Sequence, residues 1–169
     1  MERRCGWRRE PTELEERLSA MHEDFLSSQA PLGLIWVTVD QARELRRTHG
    51  GRAVEAMLEK MEHRLVEGLK PAEEIGRWGD DEFLVLSHER NLAMLTAHAR
   101  VIGGMARTTE FRWWGDRISL TVSAGVAWAE PGEALNELIE RAQFAMVASI
   151  HAGGNQVVVS PGRSRCSQS

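Results

Sequence analysis

The chain has 169 residues, 27% of them charged and 42% hydrophobic, with a formal net charge of −4. That is the size of one domain and the composition of an ordinary globular one, which excludes a collagen, a low-complexity linker and a wholly disordered chain. The negative balance argues against a coat for nucleic acid or an anionic membrane, and the longest uncharged stretch, residues 26–39, contains Pro31 and is too short to span a bilayer.

Residues 1–11 read as a flexible basic arm or linker stub; they lack the apolar core of a secretory signal. Thr12 and Glu15 form a capping box that opens a helix, and Leu14, Leu18, Met21, Phe25 and Leu26 give it an apolar stripe. Ala30-Pro31 ends it. Residues 32–39 are almost continuously apolar and β-branched, the pattern of a strand buried on both faces near the centre of a sheet. Asp40 is placed to cap a short helix running to Thr48. After the Gly50-Gly51 break, a second helix runs to about Gly68 with Val54, Met57, Leu58, Met61 and Leu65 inward.

Residues 74–78 and 82–86 read as strands joined by Gly79-Asp80-Asp81 into a hairpin. Residues 91–107 are helical. A second hairpin is expected between residues 111–114 and 118–123, across Gly115-Asp116-Arg117. A helix over 134–152 stops at Gly153-Gly154, residues 156–159 form a last strand, and 161–169 read as a disordered tail. Helices alternate with strands while hairpins impose antiparallel pairing. The expected fold is therefore α/β (α+β): a single domain over residues 12–160 with a central mixed five-stranded sheet flanked by helices.

The chemistry concentrates at Asp80-Asp81-Glu82, where three carboxylates crowd one hairpin turn. Two readings fit. One is a divalent-metal site, since Mg²⁺ takes oxygen ligands and tolerates phosphates, with Thr38 and Asp40 sharing a face at the end of the first strand. The other is a solvated acidic turn with a helix cap at Asp40. Among the six tryptophans, Trp36 and Trp128 read as core. Trp113 and Trp114 cannot both face inward on one strand, so one of them is exposed or covered by the first helix. Cys5 and Cys166 have no metal-ligand spacing, and free thiols in the cytoplasm are expected.

The string Arg77-Trp78-Gly79-Asp80-Asp81-Glu82-Phe83 resembles the hallmark of the GGDEF domains of diguanylate cyclases. Val37-Thr38-Val39-Asp40 is similar to that family's strand ending in Asp-x-Asp. Gly50, Glu55 and Leu58 fall where the family has Gly-His-x-x-Gly-Asp-x-x-Leu. Thr121-Val122-Ser123-Ala124-Gly125-Val126-Ala127 and the stretch from Arg141-Ala142 to Gly153-Gly154-Asn155 resemble two later blocks. The blocks stand in order over about residues 12–159. The resemblance implies a palm-like nucleotide-cyclase fold. It also implies condensation of two GTP molecules to cyclic di-GMP across a homodimer, assisted by Mg²⁺ or Mn²⁺. It assigns catalysis to Asp81 and Glu82, substrate binding to Gly79, Asp80, Arg43, Arg46 and Glu55, and metal ligation to Asp81, Asp40 and Val39. A weak inhibitory product site would use Lys70 and Glu73.

The departures from the family pattern point the other way. Thr38 stands for a metal-ligating Asp, Arg46 for the Asn that reads guanine, Glu55 for an Asp and Asp80 for the second Gly of the hallmark. Ile150 and Gly154 replace a phosphate-binding Lys and an Arg. One unit charge at ~4 Å is worth up to roughly 4 kcal/mol at an effective dielectric of about 20, so these losses amount to orders of magnitude in affinity. Only Arg43, Arg46 and Arg47 lie where they could reach a triphosphate. The expectation is a degenerate GGDEF domain: a regulatory module that binds GTP, a related nucleotide or a protein partner, with weak or no cyclase activity. The alternative is an active cyclase with substituted ligands. A palm-type polymerase fragment is a third reading, but the chain is too short for fingers and thumb. An upstream sensor domain or a protein partner and a cytoplasmic location are expected, with no nucleic acid and no membrane.

Overall fold

A computed structural model describes residues 11–162, without the side chains of residues 11 and 12. The basic arm, both cysteines, most of the expected tail and the Thr12 half of the capping box lie outside the described residues. The elements in order are α1 (Pro11–Ser28), β1 (Gly33–Val39), α2 (Ala42–His49), α3 (Gly51–Glu67), β2 (Glu74–Arg77), β3 (Glu82–Ser87) and α4 (Leu92–Arg107). They are followed by β4 (Phe111–Trp113), β5 (Asp116–Ile118), β6 (Val122–Trp128), α5 (Leu135–His151) and β7 (Val157–Val159). Among the described residues, no helix is long and apolar enough to cross a membrane.

The main sheet has five strands in the order β2-β3-β1-β6-β7. Its pairs are antiparallel except β6 with β7, which are parallel. β1 is central, which explains its unbroken apolar run: each residue must satisfy one helical layer or the other. Ile35, Val37 and Val39 join Met57, Met61, Phe83, Val85, Leu95 and Ile102 in the core beneath α2, α3 and α4. Leu34 and Trp36 face the other way, with Leu14, Leu18, Leu84, Leu86, Leu138 and Met146, into the core beneath α1 and α5. α5 lies unusually close to β6, because a Cβ on Gly125 would sit 2.2 Å from the Met146 amide nitrogen and 2.4 Å from the Ala142 oxygen.

Two local expectations are corrected. The second hairpin is a separate two-stranded sheet of β4 and β5, and β6 is a distinct strand of the main sheet. The chain interrupts the apparently continuous run at residues 119–121, where the Thr121 amide donates to Gln41 Oε1 at 2.8 Å. Nor is Asp40 the cap of α2: Gln41 holds that position, with no side-chain cap. α4 is capped by Asn91, whose Oδ1 accepts from the Met94 amide at 2.8 Å. At the β4–β5 turn Trp113 is partly buried against the core, whereas Trp114 is 89% exposed.

Candidate functional site

The acidic turn lies beside the exit of the central strand. Thr38 is in register with Glu82 on one side and Ser123 on the other, so the end of β1 and residues 79–82 form one corner of the sheet. The turn is tight. The Trp78 amide donates to the Glu82 carbonyl at 3.0 Å, Gly79 has φ +150° and Asp81 has φ 63°. Aspartate tolerates that left-handed conformation better than most residues with a Cβ.

Each carboxylate of the triplet has a different fate. Asp81 is clamped: Arg46 Nη1 and Nη2 donate to its Oδ2 and Oδ1, both at 2.9 Å. This fork-to-fork pairing is the strongest common geometry between the two groups. Hydrogen bonding to Asp81, then its charge, holds the Arg46 guanidinium above its already high ordinary value. Thr38 Oγ1 donates to the Asp81 carbonyl at 3.3 Å. Glu82 is half-buried, and its Oε1 accepts from Trp36 Nε1 at 2.8 Å. Burial pushes the Glu82 carboxyl up, the Trp36 bond opposes that, and the charges of Asp81 and Asp80 add to it. Asp80 is exposed at the tip.

Asp40 points away from the triplet. Its Oδ2 accepts from Thr121 Oγ1 at 2.5 Å and from the Asn155 amide at 2.9 Å, and its Oδ1 accepts from Ser123 Oγ at 2.6 Å. Thr38 and Asp40 therefore do not share a ligand: β1 ends at Val39, and the two side chains address neighbours on opposite sides. Asp40 also lies against Gly154, where an added Cβ would sit 3.3 Å from its carboxylate.

The other candidates are spread around this corner. Glu55 on α3 pairs with Arg77 Nη2 at 3.0 Å, and Arg77 also reaches Glu62 at 3.7 Å and stacks over Phe83. Arg43 is exposed on α2, and Val39 is a buried core residue. Gly79 faces Glu82, whose Oε1 would lie 3.4 Å from an added Cβ. Ile150, at the place of an expected cation, is 44% exposed.

Lys70 and Glu73 lie at the far end of the same hairpin and do not converge on a surface ligand. Glu73 turns inward, accepting from the Lys70 amide at 2.8 Å and from Ser87 Oγ at 2.8 Å. The Lys70 ammonium pairs with Glu89. Burial pushes Glu73 up, but His98, the Lys70 amide and Ser87 outweigh it and hold the carboxyl below its ordinary value.

In the metal-free chain most donors at the acidic corner already have partners within the protein. Both Asp81 oxygens face a guanidinium, both Asp40 oxygens are occupied by hydroxyls and an amide, and one Glu82 oxygen holds an indole. Three of these partners escaped the sequence reading: Arg46 as a clamp, Trp36 as a donor, and the Thr121–Ser123 pair. The last left a signal, since hydroxyls two apart on a strand share a face. The first two join residues far apart in the chain and left none.

Comparison with known proteins agrees with this frame. Residues 11–156 match the family model for "Diguanylate cyclase, GGDEF domain". Diguanylate cyclase A of Treponema denticola is 25% identical over 130 residues, covering 76% of this chain and 35% of that protein. Diguanylate cyclase DgcP of Pseudomonas aeruginosa is 26% identical over 146 residues, covering 86% of this chain and 21% of that protein. The chain thus spans about a third or less of the length of these two relatives. Among solved structures, the GGDEF domain of DgcB from Caulobacter crescentus in complex with c-di-GMP superposes with a TM-score of 0.85 at 18% identity, covering 96% of this chain and 100% of that one. Diguanylate cyclase SiaD from Pseudomonas aeruginosa, in complex with its activator SiaC, gives 0.84 at 24% identity, covering 89% and 58%. The five-stranded mixed sheet, the helices on both its faces and the acidic hairpin are those of this fold, and the chain belongs to the GGDEF-domain family of diguanylate cyclases.

Proposed function

We propose that this domain is a degenerate GGDEF module of cyclic di-GMP signalling, a regulatory unit that binds a nucleotide or a protein partner with weak or no cyclase activity. The observation that carries the reading is the Arg46–Asp81 clamp. Asp81 is the acidic residue of the hallmark, and the chain spends its own guanidinium on both of its oxygens at 2.9 Å. Arg46 stands where the family has a guanine-reading Asn, so one substitution both removes a base contact and supplies an internal countercharge. Thr38 and the commitment of Asp40 to β6 leave no second free carboxylate at the end of β1. Ile150 and Gly154 supply no cation for phosphate.

The partners this reading calls for are GTP or a related nucleotide, a second copy of the domain, and a sensor domain or separate protein in the cytoplasm. That one structural neighbour is complexed with an activator protein favours the last of these. The retention of Asp81 and Glu82 side by side favours the second reading, an active cyclase that condenses two GTP molecules with Mg²⁺ or Mn²⁺.

Incubating the purified chain with GTP and Mg²⁺ or Mn²⁺, followed by chromatography, separates the two. No cyclic di-GMP is expected. Robust product that disappears in Asp81→Ala and Glu82→Ala overturns the degenerate reading.

A further inference from the structure

At the opposite end of the β2–β3 hairpin from the acidic turn, Glu73, Glu89 and His98 bring a ligand atom each within 4.8 Å of one another. The three come from separate segments: the approach to β2, the loop after β3, and α4. Glu73 and His98 are buried, with side chains 3% and 2% exposed, and Glu89 closes the outer side at 12%.

The imidazole is set as a metal-ligating histidine is set. Its Nε2 faces the Gly68 carbonyl at 3.1 Å, the outer hydrogen bond that fixes ring orientation and tautomer in such sites. Its Nδ1 is left toward the carboxylates. That atom is buried and has no aligned hydrogen-bond partner, although Glu73 Oε2 lies 3.2 Å away. In the metal-free chain a proton on that nitrogen satisfies the Glu73 carboxylate, and a bound ion would take the place of that proton. Glu73 is steadied in turn by Ser87 Oγ and the Lys70 amide, and the Glu89 amide donates to Ser87 Oγ at 3.1 Å. The Lys70 ammonium sits on Glu89 from the exposed side.

We propose that Glu73, Glu89 and His98 form a binding site for a divalent transition-metal ion of the Zn²⁺ class, distinct from the acidic corner. Two carboxylates and one imidazole are a donor set for such an ion, with a fourth position left for water. The ion would require donors at ~2.0–2.2 Å, and Glu89 is the most exposed of the three. Entry of the ion displaces the Lys70 ammonium from Glu89. The bound ion ties β2, β3 and α4 together. Mg²⁺ prefers an all-oxygen shell and binds weakly here.

Calorimetry of the chelator-treated full chain with Zn²⁺ tests the site, with Co²⁺ as a spectroscopic probe. A Cys5→Ser, Cys166→Ser background keeps the thiols out. One equivalent is expected to bind, with a Co²⁺ visible spectrum. Glu89→Gln keeps the side-chain shape on the more exposed side and is expected to weaken binding by about tenfold or more. Lys70→Met removes the competing ammonium and tightens binding. Asp81→Asn, at the other end of the hairpin, leaves the isotherm unchanged. Absence of stoichiometric binding overturns the proposal, as does an isotherm that Glu89→Gln leaves intact or that Asp81→Asn abolishes.

Discussion

Trp36 Nε1 donates to Glu82 Oε1 across 2.8 Å, so the carboxylate beside the hallmark aspartate is held by an indole from the middle of the central strand. Trp36 is itself 3% exposed and meets Trp78 edge-on. The bond fixes one oxygen of Glu82 while burial and the neighbouring aspartates disfavour its charge.

That relationship has a consequence for stability in the metal-free chain. A carboxyl whose folded value is raised costs stability once it ionises: the folded state holds the proton more tightly, so stability falls as pH rises through the folded value. Glu82→Gln keeps an oxygen for the indole and removes the charge. It is expected to raise the melting temperature at pH 7, and the gain is expected to vanish near pH 3, well below the ordinary carboxyl value of about 4.3, where the group is protonated in both states. Thermal unfolding at the two pH values in EDTA checks this. A variant less stable than wild type at pH 7 contradicts it.

Asp40 is a structural staple between β1, β6 and the loop before β7. Asp40→Ala removes three hydrogen-bond acceptances at once, and is expected to cost about 3 kcal/mol. Thr38→Val, which loses only the 3.3 Å bond to the Asp81 carbonyl, is expected to cost about 1 kcal/mol or less. Urea unfolding of both variants measures the contrast. Equal, small effects would return Asp40 to a surface role.

Gly125 is where α5 is seated. Gly125→Ala forces a methyl group into the Met146 amide and the Ala142 carbonyl, which are backbone and cannot swing aside. Overpacking of this kind is expected to cost about 3 kcal/mol, read as a lowered urea midpoint. An unchanged midpoint would mean that α5 is not packed against β6 as described.

Much of the fold was legible because it depends on short-range pattern. The apolar run of β1 places it at the centre of the sheet, and Gly79-Asp80-Asp81 marks the hairpin. The separation of β5 from β6 was not legible. Ile118-Ser119-Leu120-Thr121-Val122-Ser123 has the composition of one strand, and the break is made by Gln41 and Asp40, which bond Thr121 from across the fold. The site divides in the same way. The hallmark triplet and the missing cations stand in the linear order of residues. The Arg46 clamp and the Trp36 donor are meetings of residues 35 and 46 positions apart. A helix cap at Asp40 was the local reading of a side chain whose partners are more than 80 positions away.

The central claim is that Arg46 takes the place at Asp81 that a divalent ion would need. Calorimetric titration of GTP with and without Mg²⁺, on wild type and Arg46→Asn, tests it most directly. In wild type, GTP affinity is expected to be the same with and without Mg²⁺. In Arg46→Asn, which frees both Asp81 oxygens, Mg²⁺ is expected to tighten GTP by about tenfold, or about 1.4 kcal/mol. Wild-type binding that already depends strongly on Mg²⁺, with that dependence lost in Asp81→Asn, would contradict the claim.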